Sequence, residues 1–214
     1  MAELTAPVLP APTDEARAHR RTPLVSSQEQ LAAVPAAARA SEIPFLTMLS
    51  VRAAPGSDAA QAVERVLGLE LPPANRFAAS GERYAVWLGP DEWLVLGADG
   101  DDGLLTELSE AVGEGFAAVV DVSGQRTTIE LAGPRVRDLL AHGCAMDLHP
   151  SVSPTGTAST TLLALAGVTL MVLDDDTQGG PTRLWVLVRS SFAAYLADWL
   201  ADASLEYRSD PAWQ

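Results

Sequence analysis

The chain has 214 residues, of which 48% are hydrophobic, enough to pack one domain or two tightly joined halves without disulfide or metal support. Lys+Arg total 14 against 28 Asp+Glu, and the resulting net charge of -14 argues against nucleic-acid or anionic-membrane partners, because both need a positive surface. Every basic residue is arginine and Cys144 is the single cysteine, so Walker-type phosphate loops, lysine Schiff bases, CxxC redox pairs and all-cysteine metal sites are excluded, and a reducing, cytoplasmic setting is expected.

Residues 1–41 stand apart. Pro7, Pro10, Pro12, Pro23 and Pro35 interrupt any helical or alternating period, and Arg17, His19, Arg20 and Arg21 form a small basic cluster. This composition predicts an extended or disordered arm, without a secretory leader, whose docking point is Arg21-Thr22-Pro23-Leu24. Phe45 to Arg52 then reads as a strand. Ser57 is an N-cap for a helix whose apolar face is Ala59, Ala62, Val63, Val66 and Leu67, and Gly68 stops it. Phe77–Ser80, Tyr84–Leu88 and Glu92–Gly97 read as strands, and Asp101 and Asp102 open a second helix.

Ala117–Val122 is a linking strand, after which the order repeats. Thr127–Leu131 alternates, with Ile129 and Leu131 on one face and Thr128 and Glu130 on the other. Gly133-Pro134 opens a helix carrying Val136, Leu139 and Leu140. Thr157–Leu165 and Val168–Leu173 predict a hairpin around Ala166-Gly167. Leu184–Val188 is a strand, and Ser190 or Ser191 caps a final amphipathic helix with Leu196, Trp199 and Leu200 inward. The pattern is β-α-β-β-β-α twice, an α+β fold of two similar halves. Trp93-Leu-Val-Leu and Trp185-Val-Leu-Val echo each other across the halves. The expected organisation is an arm at 1–41, a domain at 42–206 divided into 42–114 and 115–206, and a tail at 207–214.

Chemical motifs are sparse. His142, Cys144 and His149 come closest to a metal set, but a structural zinc needs four ligands and the cysteine has no second partner. Ala145, Met146 and Asp147 offer no positive environment to activate Cys144. Asp99, Asp101 and Glu110 match calcium-loop positions, yet Leu104 stands where the loop needs glycine. No GxGxxG follows a strand and no GxSxG is present. A chain this size with no assembled catalytic groups points to a binding or subunit role.

Several segments together resemble the gamma subunit of heterotetrameric sarcosine oxidase. They are Arg21-Thr22-Pro23-Leu24 with Pro44-Phe45-Leu46-Thr47, then Leu88-Gly89-Pro90-Asp91-Glu92-Trp93-Leu94, then Val120-Asp121-Val122-Ser123 with Arg126 and Glu130. Gly143-Cys144-Ala145-Met146-Asp147-Leu148-His149-Pro150 and Arg189-Ser190-Ser191-Phe192 continue the order. The resemblance implies a fold like the folate-binding region of glycine-cleavage aminomethyltransferase. It also implies a non-catalytic subunit that packs on alpha, beta and delta partners, alpha most directly. The implied complex demethylates sarcosine oxidatively to glycine, with hydrogen peroxide and 5,10-methylenetetrahydrofolate as products. FAD, FMN, NAD and zinc are expected on the partners, tetrahydrofolate as substrate of the complex, and no cofactor on this chain. The expected interface residues are Arg20, Arg21, Pro23, Leu24, Trp93, Arg126 and Trp213. The alternatives are a stand-alone folate-binding protein of the same fold and an aminomethyltransferase-like enzyme. Asp121 is the one carboxylate nominated for the latter, against a plainer pairing with Arg126.

Overall fold

A computed structural model of the chain describes residues 13–175 and 182–213, with Asp14 and Trp213 described through their backbone alone. In chain order the elements are α1 (Asp14–Ala18), α2 (Gln28–Ala32), β1 (Arg39–Ile43), β2 (Thr47–Ala53), α3 (Asp58–Leu67), β3 (Phe77–Ser80), β4 (Arg83–Gly89) and β5 (Glu92–Gly97). They continue as α4 (Gly103–Val112), β6 (Ala117–Asp121), β7 (Arg126–Gly133), α5 (Val136–Ala141), β8 (Ala158–Leu163), β9 (Ala166–Asp174), β10 (Thr182–Arg189) and α6 (Ala193–Ala203).

Local signals hold where the chemistry is local. Ser57 is extended and its Oγ accepts a hydrogen bond from the Ala60 amide at 3.2 Å. Gly68 closes α3 at φ 65°, a left-handed conformation that strains any residue with a Cβ. The final helix is capped differently from expectation. A 3-10 turn over Ser190–Phe192 precedes α6, and Ser190 Oγ donates to the Gly124 carbonyl at 2.9 Å. The serine ties the helix start to the loop before β7.

The strands form two five-stranded antiparallel sheets, in the orders β3-β4-β5-β2-β6 and β8-β9-β10-β7-β1. The two orders correspond strand for strand, so the duplication read from the sequence is present in the fold. One detail is crossed. β6 precedes the second half yet pairs with β2, and β1 precedes the first half yet pairs with β7. The expected division at 114/115 therefore moves: Val119 lies opposite Val51 and packs with the α3–α4 layer, so β6 closes the first sheet. Phe45 and Leu46 lie in the connection where the chain passes from one sheet to the other.

The layers run helix, sheet, sheet, helix. Leu49, Val51 and Val95 meet Val63, Leu67, Leu104 and Leu108 from α3 and α4. On the opposite face, Met48, Val86, Leu94 and Leu96 meet Met171, Leu173, Trp185 and Leu187 of the second sheet. The outer face of that sheet, through Ile129, Leu131, Leu170 and Val186, meets Leu139, Leu196 and Leu200. Each such fully buried side chain stabilises by about 1.5–3 kcal/mol. Both faces of β7 are thus covered. Thr128 is buried in the sheet-to-sheet interface, where the sequence alternation alone gives it a solvent face.

The arm is corrected for residues 13–41. Leu24, Leu31, Val34, Ala37 and Ala38 are buried against the second sheet, and residues 39–43 form its edge strand. The prolines set turns here; burial, not periodicity, fixes the segment. Gly133 shows how close the docking is. Its φ is 145°, and a Cβ there would lie 2.1 Å from the Ala37 carbonyl oxygen, while Arg135 N donates to that same oxygen at 2.8 Å. Residues 1–12 lie outside the described residues. The β8–β9 turn is at Ala164-Leu165, with Ala164 at φ 51°, two residues earlier than expected. The tryptophan echo also breaks. Trp93 reaches the loop after α3, whereas Trp185 lies between the sheets beside Tyr84.

Candidate partner interface

At the junction of the two sheets a cavity of about 370 Å³ opens between three stretches of chain: Arg21–Pro23, Ile43–Met48 and Ser123–Thr127, with Ser190 closing one side. Its apolar wall is Ile43, Phe45, Leu46 and Met48. Phe45 takes φ 58°, a conformation that is uncommon outside glycine and strained for a bulky residue. Arg20 stacks over the Phe45 ring with its guanidinium carbon 4.2 Å from the centroid. Both Asp99 oxygens accept from Arg20 Nη2 at 2.9 Å, and Arg17 pairs with Asp102 alongside. The α1 segment is therefore a buttress behind the cavity wall.

Arg126, the first residue of β7, supplies the polar wall. It lies directly opposite Arg189, the last residue of β10. Burial and the neighbouring Arg189 charge pull the Arg126 guanidinium below its ordinary value, and Glu92 only partly offsets them. Glu92 is already engaged. It accepts from Arg52 Nη2 at 2.7 Å and from Ser50 Oγ at 3.1 Å, and the Arg52 hydrogen bond holds its carboxyl below the usual range against the opposing effect of burial. Among the described residues neither the Arg126 nor the Arg189 guanidinium is hydrogen-bonded or ion-paired to a carboxylate. Asp121 does not pair with Arg126: it accepts from Ser123 N at 2.8 Å and Ser123 Oγ at 2.6 Å. Ser123 Oγ in turn accepts from Met48 N at 2.9 Å, joining the floor of the cavity to β2.

The expected interface residues separate into groups. Arg21, Pro23 and Arg126 come together around the cavity. Arg20 is nearby but committed to Asp99 and Phe45. Leu24 is fully buried in the second-sheet core, and Trp93 is 4% exposed with its Nε1 donating to the Pro72 carbonyl at 3.0 Å, so both are corrected from partner contacts to core residues. Their apolar area is already used inside the fold. The Trp213 side chain lies outside the described residues. Sequence reasoning missed Phe45 and Ser190 in the lining and Arg189 opposite Arg126; the cross-strand register that brings Arg189 to Arg126 has no local signal.

The remaining candidates disperse. His142 Nε2 contacts Tyr207 Oη, His149 Nδ1 lies 2.7 Å from Ser151 Oγ, and Cys144 is buried. Among the described residues no group of three or more His, Cys, Asp or Glu is placed to hold a metal, and no helix is long and apolar enough to cross a membrane.

Fold and site together define a duplicated antiparallel α+β protein with a cavity, lined in part by Arg21 and Arg126, at the junction of its two sheets. A family model described as sarcosine oxidase, gamma subunit family, matches residues 52–206. A sarcosine oxidase subunit gamma from Corynebacterium sp. (strain P-1) is 38% identical over 172 residues, covering 79% of this chain and 81% of that one. One from Arthrobacter sp is 38% identical over 170 residues, covering 78% and 80%. The chain belongs to the sarcosine oxidase gamma subunit family. Among solved structures, a chain of the heterotetrameric sarcosine oxidase from Corynebacterium sp. U-96, in complex with pyrrole 2-carboxylate, matches with a TM-score of 0.81 and 31% identity. That match covers 89% of this chain and 97% of that one. The glycine cleavage system aminomethyltransferase T from Bartonella henselae matches with a TM-score of 0.59 at 15% identity, covering 85% of this chain and 49% of that one, a likeness of fold. The expected α+β, aminomethyltransferase-related fold is borne out.

Proposed function

We propose that this chain is a non-catalytic gamma subunit of a heterotetrameric sarcosine oxidase, held by alpha, beta and delta subunits with alpha as the direct neighbour. The observation that carries the reading is the match to a chain of a heterotetrameric sarcosine oxidase, which covers 89% of this chain and 97% of that one. In this reading the complex converts sarcosine to glycine, reduces dioxygen to hydrogen peroxide and transfers the one-carbon unit to tetrahydrofolate in the cytoplasm. FAD, FMN, NAD and zinc reside on the partner subunits. Two features support placing them there: no nucleotide-binding glycine fingerprint follows a strand, and among the described residues no group of three or more His, Cys, Asp or Glu is placed to hold a metal. The chain contributes a shaped surface.

The test is co-expression with the three presumed partner chains, followed by co-purification and sarcosine-dependent peroxide release. Assembly in fixed stoichiometry supports the reading. A stable monomer that never co-purifies with a flavoprotein overturns it. The alternative, a stand-alone folate-binding protein, draws on the likeness to aminomethyltransferase. It requires tight tetrahydrofolate binding by the isolated chain in a calorimetric titration.

A further inference from the structure

The Arg126–Arg189 pair carries an inference that rests on the subunit reading. Like charges directly opposite each other on neighbouring strands are destabilising. Here they face each other at the end of β7 and β10, and Arg126 is half-buried as well. Arg21 adds a further guanidinium at the cavity mouth. The chain carries 28 Asp+Glu against 14 arginines, so carboxylates are abundant, yet none of the described ones is bonded to this pair. Glu92 is within electrostatic reach but satisfied by Arg52 and Ser50. Glu42 is likewise taken, accepting from Thr22 and Thr127. A guanidinium pair with no bonded carboxylate, on an otherwise acidic protein, is complementary to a carboxylate from outside.

We propose that the junction cavity receives an acidic side chain of a partner subunit, its carboxylate bridging Arg126 and Arg189 while an adjoining apolar residue packs on Phe45 and Leu46. Guanidinium forks bind carboxylates bidentately and tolerate desolvation better than ammonium groups. The apolar wall lies within the same cavity, so one short segment satisfies both chemistries. Arg21 and Pro23 are exposed at the mouth, which leaves that side open to solvent. A residue projecting from a larger protein surface closes it; a free small acid does not. The strained Phe45 and its Arg20–Asp99 support keep the wall in place before the partner arrives.

The absence of lysine makes a direct test available. In the lysine-free chain, Arg126→Lys introduces a single side-chain amine. Carbodiimide then couples that amine only to a carboxylate in contact with it. In the assembled complex, Arg126→Lys and Arg189→Lys are expected to give a covalent adduct with a partner chain beyond the wild-type background, in which partner amines couple to carboxylates of this chain, and Arg65→Lys on α3 is expected to add nothing to that background. Affinity is read in parallel. Arg126→Glu should weaken assembly at least about 30-fold, as for truncating one member of a desolvated charge pair, and Arg126→Gln by less. Thermal unfolding of the free Arg126→Gln chain should be no lower than wild type, because the variant relieves repulsion. The proposal is overturned if the wild type assembles but Arg126→Lys gives no more adduct than Arg65→Lys, or if Arg126→Glu binds within about threefold of wild type. Failure of the wild type itself to assemble overturns the subunit reading, and the docking site with it.

Discussion

Gly133→Ala is expected to detach the N-terminal segment from the second sheet. The substitution combines two costs. At φ 145° the backbone occupies a region that is essentially reserved for glycine, worth about 1–3 kcal/mol of strain. The new Cβ would also lie 2.1 Å from the Ala37 carbonyl oxygen and 3.0 Å from Ala38 N, both backbone atoms with no rotamer to change. Relief requires the Ala36–Ala38 turn to move, which breaks the bond from Arg135 N to Ala37 O and its roughly 0.5–1.5 kcal/mol. The expected loss is about 2–4 kcal/mol, measured as a shift of the urea midpoint. Amide exchange should rise first in residues 36–43. Gly56→Ala is the internal control: φ is 74°, but nothing lies within 4 Å of the added Cβ, so only the conformational cost applies. If Gly133→Ala costs no more than Gly56→Ala, the close docking of this segment is refuted.

Leu24→Ala should cost about 2–5 kcal/mol, the range for emptying a buried leucine site; a loss below about 1 kcal/mol in denaturant unfolding would mean that the segment is not part of the core. Trp185→Phe removes the Nε1 donor to Glu130 Oε2 at 3.0 Å and should destabilise by about 1–3 kcal/mol by leaving a mostly buried carboxylate short of a partner. Calorimetry showing no change in melting temperature would contradict that bond. Glu92 has a depressed folded-state value, so its contribution is present above its unfolded value near 4.5 and is lost as pH falls through the lower folded value. Glu92→Gln should therefore flatten the decline of stability on acidification in that window. An unchanged slope between variant and wild type would show that the Arg52 bond does not hold in solution.

The legible parts of the fold were those encoded over a few residues. Ser57, the spacing of Ala59 to Leu67, and Gly68 specify α3 from both ends, and the structure reproduces it. Strand positions followed from alternation, but what covers each strand did not. Thr128 and Glu130 read as a polar face, yet that face meets the other sheet, because packing of one sheet on the other is a long-range choice. The N-terminal segment departs from its sequence expectation for the same reason. Its apolar residues Leu24, Leu31 and Val34 are spaced seven and three apart, but Pro23 and Pro35 deny them a long helix, and only the surface they cover gives them meaning. In the site, Arg126 carried a signal through its motif context, whereas Arg189 depends on an antiparallel register that no short window contains. Trp93 drew notice as a large aromatic beside turn residues; its indole proton is used by Pro72, a contact between positions that only the folded chain brings together.

The crossed pairing of β1 and β6 has a consequence for how the protein is made. Synthesis delivers β1 first, but its partner β7 follows more than eighty residues later, as the pairing of Ile43 with Thr128 illustrates. The first sheet contains β2 through β6 and can close while the earlier strand waits. The sequence of that strand, Arg39-Ala40-Ser41-Glu42-Ile43, suits a waiting strand. Its charges discourage pairing with other edges, the role such residues play on exposed strands. The second sheet is thus sealed along one edge by β1, a strand made before every other strand of either sheet.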